Sequence, residues 1–586
     1  MVRTLTVVAF VTLFARAQGW TEWGQNAQHS GAVSVAGEHA ARDIAQLTYD
    51  PFVPQEQPEA SGELQVHYQT PLADGSDVFM EFKSGTWIPC NPPGSGMPAP
   101  CGVDAWNSQK WGEARYAWER DRLVQIWTYV SDWQPEPSAN HLGGWEPVFH
   151  AALAGAYVYL PAAGGGVVKL NRADGSVAAS IRPFANQLAD TSNIFVAGPL
   201  VADASGNVYY TAIQLDVASG RPWFNDVLGA WLVKVAPDDT FATATFASLT
   251  PGAPSPSDAC LLTFTAADLP WPPAPNATPN VAACGSQRPG INVAPAIGVD
   301  GTIYTVSRAH MNSEYAYLVA ANPDLSPKWT ASLRGRLNDG CGTPTMPPNG
   351  APGGCRPGAP LGVDPATNQQ PAGIVLDEAS SSPVVAPDGS VLYGAYTRYN
   401  YSRGHLFHFS SGGDFLGAYD FGWDVTPAIY SHGGTYSIVT KDNHYDAGSY
   451  CDLDQTCPPA PPGPYYITQL SPDLKPEWMF QNTNTLSCVA AAAGPPSCTA
   501  DHPNGFEWCV NAPAVDGQGK VYANSEDGRL YVIDQGGALD SSIFLNLAIG
   551  AAYTPLSIGP DGRVYTQNDG KLFVVGDIFR RARPHR

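Results

Sequence analysis

The chain has 586 residues, with 31 Lys and Arg against 53 Asp and Glu, for a formal net charge of −22. That balance excludes a nucleic-acid surface, which needs a basic field. Gly (59) and Pro (54) are abundant, yet 16 Trp, 26 Tyr and 21 Phe supply core aromatics, which excludes a disordered chain.

Residues 1–17 read as a secretory signal. Arg3 is the basic start, Leu5 to Phe14 an apolar run of ten, and Ala15-Arg16-Ala17 a cleavage site. Ten residues fall short of the roughly 20 that cross a bilayer. No cysteine follows the apolar run, which argues against a lipid anchor, and no later stretch is long and apolar enough for a membrane helix. The expected location is secreted or periplasmic, and the expected state is a monomer. Trp20 to Gly31 (WTEWGQNAQHSG) comes next. His29 within it is a candidate metal ligand, but no second ligand lies at a suitable spacing, so a structural hydrogen bond is the expected role. Asp43 to Phe52, with Ile44, Leu47, Tyr49 and Phe52, reads as a strand.

From there one motif recurs. Its clearest copy is Asn511 to Asp534, NAPAVDGQGKVYANSEDGRLYVID. Three short β-rich runs are separated by Asp516-Gly517-Gln518-Gly519 and Glu526-Asp527-Gly528, where Gly supplies positive φ and Asp caps its own backbone. Copies follow Pro199, Pro295, Pro383, Pro427 and Pro555, and weaker ones follow Pro71 and Pro147. A single such meander cannot bury its faces and needs neighbours. Pro147 to Pro199, Pro383 to Pro427 and Pro513 to Pro555 are 52, 44 and 42 residues apart, the length of one four-stranded unit. The other gaps hold insertions at about 91–104, 248–287, 338–370, 451–464 and 482–507, rich in Pro, Gly and Ala.

All eleven cysteines fall in those longer gaps. Burial cannot order a loop of low hydrophobicity, so crosslinks are expected: Cys90 with Cys101, Cys260 with Cys284, Cys341 with Cys355, Cys451 with Cys457, and Cys488 with Cys498. Cys509 is left over, and Cys488, Cys498 and Cys509 can pair in three ways. Zinc is disfavoured, because the spacings and the missing His pair do not fit a finger. Asn276 and Asn400 head glycosylation sequons.

The last unit has room for only three strands, about 555–558, 563–567 and 571–575. Ile44 to Phe52 is expected to supply the fourth and close a ring. The expected fold is all-β: one eight-bladed β-propeller over residues 18–578, each blade a four-stranded antiparallel meander, followed by a basic tail at 579–586. A seven-bladed ring is the alternative, since the unit at Pro71 is the weakest.

Small-Pro-apolar-apolar, then Asp-Gly, an apolar-Tyr strand, and Asp-Gly-x-Leu-Tyr-x-x-Asp resembles the repeat of the pyrroloquinoline-quinone-like, or quinoprotein-like, β-propellers. The resemblance spans residues 20 to 578, and Trp20 to Gly31 is similar to the opening segment of exported members. Members include quinoprotein alcohol dehydrogenases and outer-membrane assembly scaffolds, so the motif speaks to fold and not to activity. The echo between Ala321–Trp329 and Leu470–Trp478 resembles the segment whose Trp locks neighbouring blades in those dehydrogenases.

In those enzymes the cofactor lies over the central funnel, between a Trp and a disulfide of two adjacent cysteines. A Glu, an Asn and an Asp hold Ca²⁺, and an Asp acts as base. This chain has no Cys-Cys pair. Residues just before the anchor prolines point toward the funnel mouth, which makes Glu146, Asn292, Asp424 and Asn511 the cofactor-binding candidates, with Glu507 and Asp377-Glu378 nearby. Their oxygens are of the type that Ca²⁺ takes, and equally of the type that caps strand ends. No nucleophile elbow, zinc-protease or phosphate-loop motif is present, and His150, His310, His432 and His444 have no nucleophile partner. No catalytic or metal residue is therefore expected. The expected function is an exported binding or scaffold propeller for a protein or small-molecule ligand. The alternative is a divergent oxidoreductase using pyrroloquinoline quinone and calcium.

Overall fold

The structure is a computed structural model. It describes residues 19–59, 66–88, 108–136, 147–188, 190–219, 222–344, 346–352, 354–377, 381–397, 404–444, 463–491, 494–508, 512–548 and 555–577. The signal segment and the basic tail lie outside these residues, as do Glu146, Glu378, Asn400, Asn511, Cys90, Cys101, Cys451, Cys457 and Cys509.

Eight antiparallel sheets follow one another as blades of a propeller. Blade 1 is typical of the set: Leu72–Asp74, Asp77–Gly85, Gln109–Glu119 and Arg122–Val130 pair in chain order. The weak unit at Pro71 is thus a full blade and the ring has eight. Blades 2 to 7 have their first strands at Ala152, Val201, Ala296, Val384, Ala428 and Ala514, the last four directly after their anchor proline and the first two a little further on. Proline suits that place because it removes a ladder donor at a strand's first residue, where none is needed. In blades 3 and 4 an extra strand, Ile194–Val196 or Gln287–Pro289, joins the second strand ahead of the anchor.

Blade 8 holds Ser557–Ile558, Val564–Asn568 and Lys571–Gly576, and its fourth strand is Arg42–Thr48. The closing register runs from Arg42 opposite Gly576 to Thr48 opposite Lys571. The strand stops at Thr48, short of Phe52. Asp50 accepts the Phe52 N–H at 2.9 Å, and the short helix Val53–Glu59 follows. Lys83 locks this corner, lying 2.7 Å from Asp50 and 3.2 Å from Glu56, with all three side chains buried.

Three of the blade junctions are locked by a tryptophan of the fourth strand. Trp127, Trp329 and Trp478 abut Gly175, Gly413 and Gly537 of the next blade's outer hairpin. Trp127 and Trp329 also donate their ring N–H to Arg172 O and Ser411 O there, both at 2.9 Å. A Cβ on any of these glycines would fall within about 3.2 Å of the indole. Gly175, Gly413 and Gly537 have φ of 72°, 90° and 76°, a conformation that glycine adopts without strain.

Two of the long insertions contain structure that the loop reading did not anticipate. Ala259–Leu261 pairs with Val281–Ala283, and Leu486–Val489 with Ser497–Ala500. Disulfides Cys260–Cys284 and Cys488–Cys498 bridge these ribbons, and Cys341–Cys355 bridges a third insertion. Isolated two-stranded ribbons are marginal in water, so a covalent clamp is the expected support.

Candidate functional site

An antiparallel meander sends its first-to-second and third-to-fourth turns to one end, and its other connections to the opposite end. The two ends of this ring are built differently.

The turn end is closed by residues 19–38, which visit every blade in ring order. Trp20 pairs with Ala73 of blade 1. Thr21 O accepts the Leu153 N–H of blade 2 at 2.8 Å, and the Glu22 carboxyl accepts that of Ala202 in blade 3. Ala27, Gln28, Ser30 and Gly31 carbonyls accept from Ile297, Val385, Ile429 and Val515 of blades 4 to 7, at 2.6 to 2.9 Å. Glu38 N donates to Gly562 O of blade 8 at 2.7 Å. Each bond uses a first-strand or turn group that would otherwise face the central channel unpaired. This strap is the segment of Trp, Gly and His read in the sequence.

His29 is fully buried in the strap and donates from Nδ1 to Pro383 O at 2.8 Å, the structural role expected of it. Burial drives its imidazole down to about 4. His150 beside it donates from Nδ1 to Ala151 O and accepts the Thr70 N–H on Nε2 at 3.0 Å, which fixes the neutral tautomer. Burial lowers it to about 3. Trp23 meets His150 edge-on and donates to Thr426 Oγ1 at 3.2 Å. Carriers of charge are thus held neutral in the channel.

The opposite end carries the insertions at 248–287, 338–370 and 482–507 as far as they are described. Two of them fuse: Phe264, Trp271, Cys341, Met346, Cys355 and Ala366 form a separate small core. Arg356 N donates to Trp271 O, and Asn368 Nδ2 reaches the carbonyls of Pro275 and Ala277. Leu361, Leu262 and Val281 remain exposed on this added layer. Asn276 is also exposed here, so its sequon is open to a glycan.

Of the four funnel candidates, Asn292 and Asp424 are described. Both have positive φ just ahead of their anchors. Asn292 donates from Nδ2 to Asp377 O at 2.9 Å, and its Oδ1 is buried without a hydrogen bond. Asp424 lies 3.3 Å from Lys441 Nζ. Asp377 accepts a two-pronged bond from Arg288 at 2.7 and 2.6 Å, with Arg308 at 2.9 Å. Burial alone would raise the Asp377 carboxyl, but the two guanidiniums hold it well below the usual carboxylate range. His310 accepts from Arg288 Nε at 2.9 Å, and Trp223 covers the guanidinium. These residues offer a divalent cation one free amide oxygen, at Asn292, and a carboxylate at Asp424 already facing an ammonium. Calcium takes six to eight oxygens, so the described residues do not by themselves fit it, and no step is assigned to a quinone or a metal.

Two further groups were not legible from spacing. Asp339 and Asp420 flank buried His405 at 2.7 and 3.8 Å on the outer half of blade 5. Glu81 and Glu113 face each other across blade 1, both buried, and Gln69 binds one oxygen of each at 2.9 Å. Their second oxygens lack hydrogen bonds. Burial raises both carboxyls, Glu113 to about 8. Alternation in a strand signals burial of these positions, but not that two acids meet there.

The fold, an eight-bladed β-propeller, is similar to that of solved quinoprotein dehydrogenases. No family model matches the chain, and no curated protein matches its sequence. Among solved structures it is similar to the quinohemoprotein alcohol dehydrogenase of Comamonas testosteroni, with TM-score 0.50 and 11% identity over 97% of this chain and 82% of that one. A europium-containing methanol dehydrogenase matches with TM-score 0.46 and 11% identity, over 94% and 89% of the two chains. BamB from Moraxella catarrhalis matches with TM-score 0.39 and 10% identity, over 92% and 99%. At such identities the likeness concerns the fold alone. No helix among the described residues is long and apolar enough to cross a membrane.

Proposed function

We propose that the chain is an exported binding propeller that takes a protein or small-molecule partner on its insertion-bearing end. The observation that carries this is the asymmetry of the ring. The strap occupies the turn end, and the disulfide-bridged insertions stand together at the other, with exposed Leu361, Leu262 and Val281 on top. Loops held on a rigid scaffold are where binding residues concentrate. The disulfides suit an oxidising compartment, in keeping with the signal read at residues 1–17. The Arg288–Asp377 pair beneath the insertions stiffens the platform and leaves Asp377 unsuited to act as a base.

Immobilised protein tests this against the exported proteins of its source. Intact protein is expected to retain a partner that Leu361→Asp and a deletion of Thr343 to Gly353 both lose, with unchanged melting of the remaining ring. In parallel, pyrroloquinoline quinone with Ca²⁺ is expected to leave the melting temperature unmoved, and alcohols to support no dye reduction. A ligand at 100 times its Kd stabilises by about 2.7 kcal/mol, which is readily seen. A shift abolished by Asp424→Ala or Asn292→Ala would instead establish the oxidoreductase.

A further inference from the structure

The strap end carries a concavity of its own, apart from the insertions. A cleft of about 450 Å³ opens between the inner turns of blades 4 and 5 and the edge of blade 6, with the strap as its floor. That volume lies in the range of small-ligand pockets, roughly 300–1,000 Å³. Its apolar wall is Val299, Tyr304, Pro387 and Ile429, and Asp300 and Asp388 supply its charge. No Lys, Arg or His lines it.

The turn chemistry explains why carboxylates stand there. Each Asp caps its own Asp-Gly turn: Asp300 accepts from Thr302 N at 3.0 Å, and Asp388 from Ser390 N at 2.9 Å. Asp300 shares its charge with Lys328 at 3.1 Å. Burial alone would raise the Asp388 carboxyl, but Ser390, the Tyr436 hydroxyl at 2.9 Å and His408 behind Ser390 hold it below the usual range, and burial lowers the imidazole's own pKa. Val299, next to Asp300 in the same cleft, is 96% exposed. Val299, Pro387 and Ile429 thus give the cleft an apolar side next to the Asp388 carboxylate, with no cation among its lining residues.

We infer that this cleft is a binding site for a small primary amine with an apolar stem. The ammonium supplies the charge that Asp388 lacks, and the stem covers Val299, Pro387 and Ile429. A carboxylate or phosphate ligand meets no cation among the lining residues and is repelled by Asp388, since Lys328 is already engaged by Asp300. A neutral molecule of the same shape gains only the apolar contact. The site is independent of the partner face at the other end of the ring.

Calorimetric titration of the full chain at low salt with hexylammonium, hexanol and hexanoate tests the assignment. Hexylammonium is expected to bind about tenfold tighter than hexanol, the size of a charge-assisted contact, and hexanoate not at all. Asp388→Asn is expected to erase the preference. Because Asp388 also holds its turn, Val299→Lys serves as a second variant. It places a cation at an open position, leaves melting unchanged, and is expected to weaken hexylammonium about fivefold or more. Equal binding of the amine and the alcohol, no binding of either, or a Val299→Lys variant that binds as the parent does would each overturn the proposal.

Discussion

Trp329 of blade 4 is seated on Gly413 of blade 5, so closely that a Cβ at Gly413 would lie 2.8 Å from the indole Cδ2. The contact joins a fourth strand to the outer hairpin of the following blade, and Trp329 Nε1 secures it through Ser411 O. It recurs at Trp127 with Gly175 and at Trp478 with Gly537, so the ring is held at its rim as well as at its hub.

The first prediction concerns that clasp. Gly413→Ala adds a methyl into the indole and forces alanine to φ near +90°, so it is expected to destabilise by about 2–3 kcal/mol. Gly155→Ala, at φ 58° with nothing near, is expected to cost only about 1 kcal/mol. Denaturant unfolding of the two variants measures the difference, and equal costs would mean that the indole gives way freely.

Acid should loosen the hub. His29 and His150 are held neutral with folded values of about 4 and 3, below the ordinary 6.5. The unfolded chain therefore takes up protons first as pH falls below about 6.5. Stability contributed by the neutral rings is complete above that pH and is lost on the way down to 4 and below. The contribution of His29 is on the order of 3 kcal/mol. His29→Gln is expected to flatten the fall in melting temperature between pH 6.5 and 4, and a parallel curve would disprove the assignment.

Alkali should act on blade 1 in the opposite sense. Glu113 has a folded value of about 8, raised by burial from 4.5. Its stabilising contribution is complete below about 4.5 and is lost as pH rises toward 8, because the unfolded chain gives up the proton first. Glu113→Gln keeps the acceptor for Gln69 and has no charge to bury. It is expected to be more stable than the parent at pH 8.5 and little different at pH 5. Melting curves at the two pH values decide.

The corner after the closing strand depends on Lys83. Lys83→Met leaves Asp50 and Glu56 buried with no counter-charge, and is expected to cost about 3–5 kcal/mol. Hydrogen exchange should show the loss first in Arg42–Thr48 and its partner Lys571–Gly576, since the corner anchors that joint. Uniform loss across all blades would show instead that the joint does not open separately.

What the sequence determined by itself was the local unit, with a count of eight that left only the unit at Pro71 open. An anchor proline, an Asp-Gly turn and an alternating strand lie within a few residues of one another, so their physics shows in a short window. Pro71 to Pro555 therefore mark eight units, and the strand pairing of Leu72–Asp74 to Arg122–Val130 makes the weakest of them a full blade. The missing fourth strand of the last unit likewise pointed to Ile44 to Phe52, and Arg42–Thr48 fills that place. The cysteines marked the insertions, because loops without a core need a crosslink.

Only the tertiary structure decided what those units leave facing one another. Trp23 and Thr426 meet across 403 residues, and His29 and Pro383 across 354. No periodicity encodes such a meeting. Ring closure brings it about, by carrying eight first strands to one axis, where their free backbone groups take residues 19–38 as a common partner. The same closure set Glu81 opposite Glu113, joined two distant insertions into one small core, and left Asp388 at the lip of an apolar cleft. Burial, and with it charge state, is a property of that assembled neighbourhood, and the order of the residues becomes informative about it only once the ring is closed.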